Sequence, residues 1–168
     1  MICSVLAKLH APRDRPPPVL RPLTQWFEAL GRAAEAQGRI FHIAATTASN
    51  LLASERDIVA LHGDMHHGNV LNFGSRGWLA IDPKGLVGER YFDYANIFFN
   101  PDHETATLPG RLARQLRVVA DAAHLERRRL LAWVVAWAGL SAAFSLDDSR
   151  PPDDALRVAE LAAVELSR

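Results

Sequence analysis

Residues 62–69 of the chain are His62-Gly63-Asp64-Met65-His66-His67-Gly68-Asn69, and Asp82 follows 13 positions after Asn69. The run before this polar stretch, residues 57–61, is apolar and β-branched, which is typical of a buried strand. Residues 69–73 and 78–81 predict two further strands, with a turn over the glycine-containing residues 74–77. We therefore expect a polar loop that is followed at once by a β hairpin.

Two oxygen-bearing side chains lie at the ends of the predicted hairpin, although they are distant in sequence. Because the last residue of a hairpin lies beside its first, Asn69 and Asp82 converge, and Asp64 lies in the loop just before them. Mg²⁺ is a hard cation that prefers oxygen ligands, takes few of them from the protein, and is also coordinated by substrate phosphates. The sequence therefore predicts a Mg²⁺ pocket on this rim.

Zinc is an alternative, since His62, His66 and His67 lie close together in the same stretch. Imidazole nitrogen is a common zinc ligand. A zinc site built from these histidines would leave Asn69 and Asp82 unused, so we favour the oxygen-ligated cation.

The spacing from Asp64 to Asn69 resembles the catalytic loop of protein kinases, which has His, then Asp, then Asn five residues after the Asp. In those enzymes a metal-binding Asp follows in the next loop. Here Gly63 replaces the usual kinase Arg, and Asp82-Pro83-Lys84-Gly85 stands where Asp-Phe-Gly would be.

These departures are similar to the aminoglycoside phosphotransferase branch of the kinase-like fold, and in particular to its streptomycin 6-phosphotransferase and hydroxyurea-resistance kinase group. The strings that carry the resemblance are Ile81-Asp82-Pro83-Lys84-Gly85-Leu86-Val87-Gly88-Glu89-Arg90-Tyr91-Phe92-Asp93-Tyr94-Ala95-Asn96, Leu9-His10-Ala11-Pro12 and Trp133-Val134-Val135-Ala136-Trp137-Ala138-Gly139-Leu140-Ser141-Ala142. The resemblance covers nearly the whole chain, but only the second half of such a kinase.

The resemblance implies transfer of the γ-phosphoryl group of ATP to a hydroxyl of a small molecule, of which streptomycin is the family's example. Asp64 would orient the acceptor hydroxyl and take its proton, and Asn69 and Asp82 would hold the Mg²⁺ that bridges the phosphates. ATP and Mg²⁺ are the implied cofactors.

Three further side chains have expected roles around this loop. We expect His62 to hold the loop by hydrogen bonds rather than to take part in chemistry. Asp93 opens a predicted helix, where a carboxylate is favourable in any case, and the resemblance assigns it the role of bracing the catalytic loop. Lys84 either contacts phosphate or is simply solvated. The acidic pairs 147–148 and 153–154 either attract a cationic aminocyclitol or, as we expect, form solvated helix ends.

The predicted fold is therefore α+β and kinase-like, with residues 1–168 forming one mostly helical C-terminal lobe whose small β hairpin carries the catalytic and metal loops. The N-terminal lobe is expected to be absent, because no Gly-x-Gly-x-x-Gly occurs and no segment ahead of residue 62 suits a five-stranded lobe. A missing N-terminal kinase lobe is thus an expected partner. The alternative is a truncated, inactive remnant that at most binds a ligand or partner.

Apolar periodicity places the remaining helices. They are predicted over residues 2–10, 23–37, 40–53, 91–99, 112–123, 130–146 and 153–166, with loops at 11–18 and 101–109. Pro83, Gly85 and Gly88 are expected to break the structure after Asp82, and Asp153 or Asp154 to cap the last helix. The apolar run 130–146 is short for a membrane span, so we expect a buried core helix.

Composition agrees with one soluble domain, since 49% of the residues are hydrophobic and 23% are charged. Nineteen basic residues balance nineteen acidic ones, so we expect neither a nucleic acid nor a membrane as partner. Cys3 is the only cysteine, and no secretory signal opens the sequence. Both features favour the cytoplasm.

Overall fold

The computed structural model describes residues 1–12 and 19–168. The loop predicted for residues 11–18 lies, beyond its first two residues, outside this part of the chain. The described residues form a mixed α+β fold that is mostly helical, as the sequence predicts, and that has a three-stranded sheet in addition to the predicted hairpin.

The helices follow the predicted order. They are α1 (Ile2–Leu9), α2 (Leu23–Trp26), α3 (Glu28–Gln37), α4 (Arg39–Leu52), α5 (Tyr91–Ala95), α6 (His103–Ala106), α7 (Arg111–Ala123), α8 (Arg127–Asp147) and α9 (Asp153–Leu166). Short 3₁₀ turns occupy His67–Asn69, Gly74–Arg76 and Asn96–Phe99.

The strands form two separate sheets. They are β1 (Arg21–Pro22), β2 (Ile58–Leu61), β3 (Val70–Asn72), β4 (Trp78–Ala80) and β5 (Leu86–Glu89). One sheet has the order β1-β5-β2, in which β5 is parallel to β1 and antiparallel to β2. The other sheet is the antiparallel pair β3-β4.

The predicted hairpin is confirmed. Val70 pairs with Ala80 and Asn72 with Trp78, and the glycine-containing turn closes between them. Just beyond the paired residues, the amide of Ile81 donates to the carbonyl of Asn69 at 3.0 Å. The hairpin therefore brings the residue that precedes Asp82 against Asn69.

The expectation of a broken structure at Gly88 is wrong, because Gly88 lies inside β5. A Cβ on this residue would meet the Leu23 side chain at 2.5 Å, so the glycine permits close packing of α2 on the sheet.

Residues 57–61 were expected to be buried, but only the last of them, Leu61, is. Ile58 is 52% exposed and Leu61 only 3%, because β2 has β5 on one side and no strand on the other among the described residues.

Three smaller corrections concern helices. The helix predicted for residues 23–37 is interrupted at Phe27, and it ends at Gly38 as expected. The loop predicted for 101–109 contains α6, whose cap is Asp102. Neither Asp153 nor Asp154 caps α9, since the cap position is Pro152. Both lie in the first turn, where their charge still favours the helix.

Helix α8 is the centre of the core and packs against α4, α5 and α9. Trp133 is fully buried, and its ring contacts those of Phe27 and Phe92 at centroid distances of 6.1 and 5.9 Å. By length and composition α8 is also long enough to cross a membrane, but most of that stretch is covered by the rest of the fold. The prediction of a buried core helix is confirmed.

Candidate active site

Asp93 lies directly beneath the loop that joins β2 to β3. Its carboxylate is fully buried, and it accepts hydrogen bonds from the backbone amides of His62 and Gly63, each at 2.8 Å. His10, at the end of α1, approaches the same carboxylate through Nε2 at 2.8 Å. Charge-assisted bonds of this kind are about twice as strong as neutral ones. Asp93 therefore fixes the first residues of the loop to α5 and α1.

His62 connects this loop to the one after the hairpin. The amide of Asp64 donates to His62 Nδ1 at 3.2 Å, so the ring proton belongs on Nε2, which lies 2.7 Å from the carbonyl oxygen of Ile81. The amide of Lys84 donates to the carbonyl of His62 at 2.7 Å. The ring is fully buried, and each of its nitrogens is used in holding backbone.

Asp64 presents one carboxylate oxygen to a neighbouring side chain and the other to the cleft. Asn96 Nδ2 donates to Oδ1 at 3.1 Å. Oδ2 lies 3.6 Å from Lys84 Nζ and 3.9 Å from His66 Nε2. The Nδ2 amide of Asn69 donates to the backbone carbonyl of Asp64 at 2.9 Å, which holds the two ends of the loop together.

Lys84 is paired with two carboxylates. Its Nζ lies 2.7 Å from Asp82 Oδ2, and the hydrogen bond and positive charge of Lys84 lower the pKa of the Asp82 carboxyl. The same hydrogen bond to Asp82 raises the pKa of Lys84. Lys84 is thus ion-paired with both carboxylates, and its contact with phosphate stays a prediction. Asp82 itself has φ of +59°, a left-handed backbone that directs its exposed carboxylate beside the loop.

The donor set fits Mg²⁺. Asn69 uses its amide nitrogen internally, and within the described residues its Oδ1 has no hydrogen-bond partner. The Asp82 carboxylate is accessible. Within the same residues no group of three or more His, Cys, Asp or Glu side chains is arranged to hold a metal. One carboxylate with one carboxamide suits a cation that completes its shell with water and phosphate oxygens.

A cavity of about 570 Å³ opens beside Asp64 and Lys84. Its opposite wall is the second half of α8, and its remaining lining comes from α2 and the segment after α8. The lining residues are Trp26, Gly63, Asp64, Lys84, Trp137, Leu140, Ser141, Phe144, Ser145, Asp147, Asp148 and Arg150. Asp147 and Asp148 are exposed, as expected for a solvated helix end, and they also line this cavity. A small organic molecule fits a space of this size.

The family model described as aminoglycoside/hydroxyurea antibiotic resistance kinase matches residues 1–149. The chain belongs to this family. A streptomycin 3''-kinase of Klebsiella pneumoniae is 53% identical over 153 residues, which are 88% of the chain and 57% of that relative. A hydroxyurea phosphotransferase of Kitasatospora aureofaciens is 29% identical over 80% of the chain and 38% of its own length.

A streptomycin 6-kinase of Streptomyces griseus is 33% identical over 55% of the chain and 31% of its own length. The chain thus spans 57% or less of the length of these curated relatives. No solved structure matches it. The resemblance noted from the sequence motifs is confirmed at the level of the family.

Asn96 and His10 contact the site residues of this antibiotic resistance kinase homologue, but neither was predicted to do so, although both lie within the quoted strings. Asn96 lies one helical turn after Asp93, so both point to the same side of the segment. That spacing was the available signal. His10 contacts Asp93 although the two residues are 83 positions apart in the sequence, and no local sequence pattern predicts such a contact.

A larger cavity, of about 640 Å³, lies between the start of α4 and α9. Its lining includes Phe41, Leu156 and Val164, and none of the predicted site residues. The matched family segment ends before α9 begins. We therefore place the candidate active site of this kinase homologue at the smaller cavity.

Proposed function

We propose that the chain is the catalytic and acceptor-binding part of an ATP-dependent phosphotransferase that phosphorylates a hydroxyl group of streptomycin or a related aminoglycoside. Membership of the family supports the phosphotransferase class, and the names of two relatives supply the substrate. The observation that carries the proposal is that Asp64 shares one cavity with aromatic and acidic side chains.

In the proposed reaction the bond between the γ-phosphorus and its bridging oxygen to the β-phosphate breaks, and a bond forms from that phosphorus to the acceptor oxygen. The proton of the acceptor hydroxyl passes to Asp64. Because Asn96 donates to Oδ1, the oxygen proposed to receive the proton is Oδ2, which lies 3.6 Å from Lys84 Nζ. A positioned base of this kind contributes about 10²–10⁴-fold to the rate.

Asn69 and Asp82 are the residues proposed to hold Mg²⁺. The bound cation would neutralise charge on the phosphates of ATP. Lys84 lies between Asp82 and Asp64, within 4 Å of a carboxylate oxygen of each, so its ammonium is placed to contact a phosphate near either. The hydrogen bonds of His62 and Asp93 keep this arrangement in place before substrate arrives.

An aminoglycoside is a polyhydroxylated cation, and the cavity suits that chemistry. The rings of Trp26, Trp137 and Phe144 form apolar faces on which a cation or a sugar ring can lie. Asp147 and Asp148 add negative charge at the mouth, and each has one exposed arginine partner. Such exposed pairs are weak and exchange readily for a cationic ligand.

Further contacts to ATP are proposed to come from an N-terminal kinase lobe, because the chain contains no Gly-x-Gly-x-x-Gly. In kinase-like enzymes this lobe carries the loop that covers the phosphates of the nucleotide. The proposal includes a cytoplasmic location, where ATP is available.

A chimera tests the proposal. In it, this chain replaces the segment that it matches in the Klebsiella pneumoniae streptomycin 3''-kinase. We expect transfer of the γ-phosphate of radiolabelled ATP to streptomycin. Replacing both Asp147 and Asp148 by Asn should raise KM for streptomycin about three- to tenfold with little change in kcat. A matched control is Asp153→Asn, since this exposed aspartate lies outside the cavity. A folded chimera that transfers no phosphate to streptomycin would contradict the proposal.

A further inference from the structure

A hydrogen bond from the loop that contains His66 holds the ring of this residue in place. The amide of Gly68 donates to His66 Nδ1 at 3.1 Å. Gly68 is also where a side chain would interfere, since a Cβ there would lie 3.0 Å from His66 Cε1 and 3.2 Å from Nδ1. The absence of a side chain at residue 68 therefore lets the imidazole lie against the backbone of the turn His67–Asn69.

This seating leaves one hydrogen-bond donor unused. A neutral imidazole carries one ring proton, and because Nδ1 is the acceptor, the proton belongs on Nε2. The Nε2 atom is 3.9 Å from Asp64 Oδ2, which is too long for a hydrogen bond. Within the described part of the chain no other acceptor lies within hydrogen-bond distance of it. The ring is 34% exposed, so the donor is accessible.

The unused Nε2–H donor of His66 faces Oδ2 of Asp64, the oxygen that is proposed to receive the proton of the acceptor hydroxyl. Lys84 Nζ approaches the same Oδ2 from 3.6 Å, and Asn96 holds Oδ1. His66 does not line the cavity that contains Trp26 and Trp137, so the acceptor cavity and His66 flank Asp64 separately. The Nε2–H of His66 and the ammonium of Lys84 thus converge on Asp64 Oδ2, and of these two donors only Lys84 lines the acceptor cavity.

We propose that His66 is a further catalytic residue of the proposed phosphotransferase, donating a hydrogen bond from Nε2–H to a non-bridging oxygen of the transferred γ-phosphoryl group. The inference rests on the proposed function. The histidine gives up no proton, so the balance of the transfer is unchanged. Because Nε2 carries hydrogen, this nitrogen is not a metal ligand, and a role confined to holding the turn would use Nδ1 alone.

Two substitutions separate these roles. The side-chain amide of Asn reaches the position of Nδ1, so His66→Asn keeps an acceptor for Gly68 and removes the outer donor. The longer side chain of Gln reaches the position of Nε2, so His66→Gln restores a donor there. The neighbouring His67 is exposed and is the matched control as His67→Asn.

The experiment is a titration of the ¹⁵N-labelled chimera described above, in which the relative supplies the proposed N-terminal lobe, with Mg-ATP and, separately, with Mg-ADP, followed by ring-nitrogen and amide NMR. We expect the His66 Nε2 signal to move with Mg-ATP and not with Mg-ADP, because only ATP has the γ-phosphoryl group. His66→Asn should weaken Mg-ATP binding about tenfold relative to Mg-ADP. His66→Gln should restore most of that ratio, and His67→Asn should leave it unchanged.

If Mg-ATP moves the amides of residues 82–85 while the His66 ring signal stays fixed, the inference is overturned and the proposed function stands. If neither nucleotide moves any amide of the two loops, both are overturned. The wild-type measurement decides between these outcomes even if His66→Asn fails to fold.

Discussion

Asn96 Nδ2 donates a hydrogen bond of 3.1 Å to Asp64 Oδ1, although the two residues are 32 positions apart. Asn96 is buried on the segment that follows α5, and Asp64 lies in the loop after β2. The bond occupies one oxygen of the proposed base and orients the other toward the cleft. The geometry of the base is therefore set by a residue that does not itself line the acceptor cavity.

Asn96→Ala should lower kcat of the chimera about ten- to hundredfold with little change in KM for ATP, because the carboxylate loses its orientation. Asn100→Ala is the control, since Asn100 Nδ2 donates to the Asn96 carbonyl at 3.0 Å and not to Asp64. Steady-state kinetics of both variants provide the test. Equal losses of kcat in the two would show that only local packing was disturbed.

The substitutions Asp64→Asn and Asp82→Asn should affect different steps. Asp64→Asn should keep Mg-ATP affinity and lower kcat about 10²–10⁴-fold, since a base is lost. Asp82→Asn should weaken the dependence of nucleotide binding on Mg²⁺, since the one carboxylate proposed as a metal ligand is lost. Calorimetric titration with Mg-ATP and with ATP in EDTA measures the second effect. The assigned roles would be reversed if Asp64→Asn lost the nucleotide and Asp82→Asn kept it.

Glu89 forms an ion pair with Arg129 in which the Glu89 carboxylate is fully buried. Its carboxylate, at the end of β5, accepts from the guanidinium of Arg129 and from Trp133 Nε1 at 3.0 Å. Removing one partner of a buried pair leaves the other charge unpaired, so Glu89→Ala should cost about 3–5 kcal/mol of unfolding free energy.

Urea unfolding measures that loss. The control removes an exposed pair. Arg127→Ala breaks a contact with Asp121 in which both side chains are more than half exposed, and it should cost less than about 1 kcal/mol. A similar loss of stability in the two variants would show that the Glu89 pair is no more important than a surface one.

The parts of this site that local sequence determines were predictable, and those that depend on distant contacts were not. The spacing of Asp64 and Asn69 and the glycine turn of the hairpin are local, and both were found. Strand β5 was missed, because Gly88 is unfavourable for a strand unless Leu23 packs against it from another part of the chain. The helix break at Phe27 likewise follows from packing, since its ring contacts Phe92 and Trp133.

Burial raises the pKa of Tyr94 from 10.0 to about 12. A pKa that is higher in the folded state means that folding favours the protonated phenol. This contribution to stability is therefore complete below pH 10 and is lost as the pH rises through about 12. The shift corresponds to about 3 kcal/mol, at about 1.4 kcal/mol for each pKa unit.

Tyr94→Phe should accordingly remove one phenol titration near pH 12 from the ultraviolet spectrum. It should also make the free energy of unfolding fall less steeply between pH 10 and 12 than in the wild type. Identical pH dependence in the two proteins would show that Tyr94 titrates as an exposed tyrosine does.

Gly139 lies where α8 approaches α4 closely. A Cβ on Gly139 would lie 2.3 Å from the Cβ of Ala44 and 3.2 Å from Leu30 Cδ1. An alanine cannot fit unless the two helices move apart, and overpacking of this kind costs about 1–3 kcal/mol or more. The loss should exceed the gain in helix propensity, which is about 1 kcal/mol.

Gly31 on α3 is the matched control, because nothing lies within 4 Å of a Cβ placed there. Gly31→Ala should therefore stabilise the protein by about 0.5–1 kcal/mol, since only the propensity term remains. Thermal and urea unfolding of the two variants should thus shift in opposite directions. If Gly139→Ala stabilised the fold as Gly31→Ala does, α8 would not cross α4 at this residue. The acceptor cavity, whose wall begins on α8 two residues before Gly139, would then need to be placed differently.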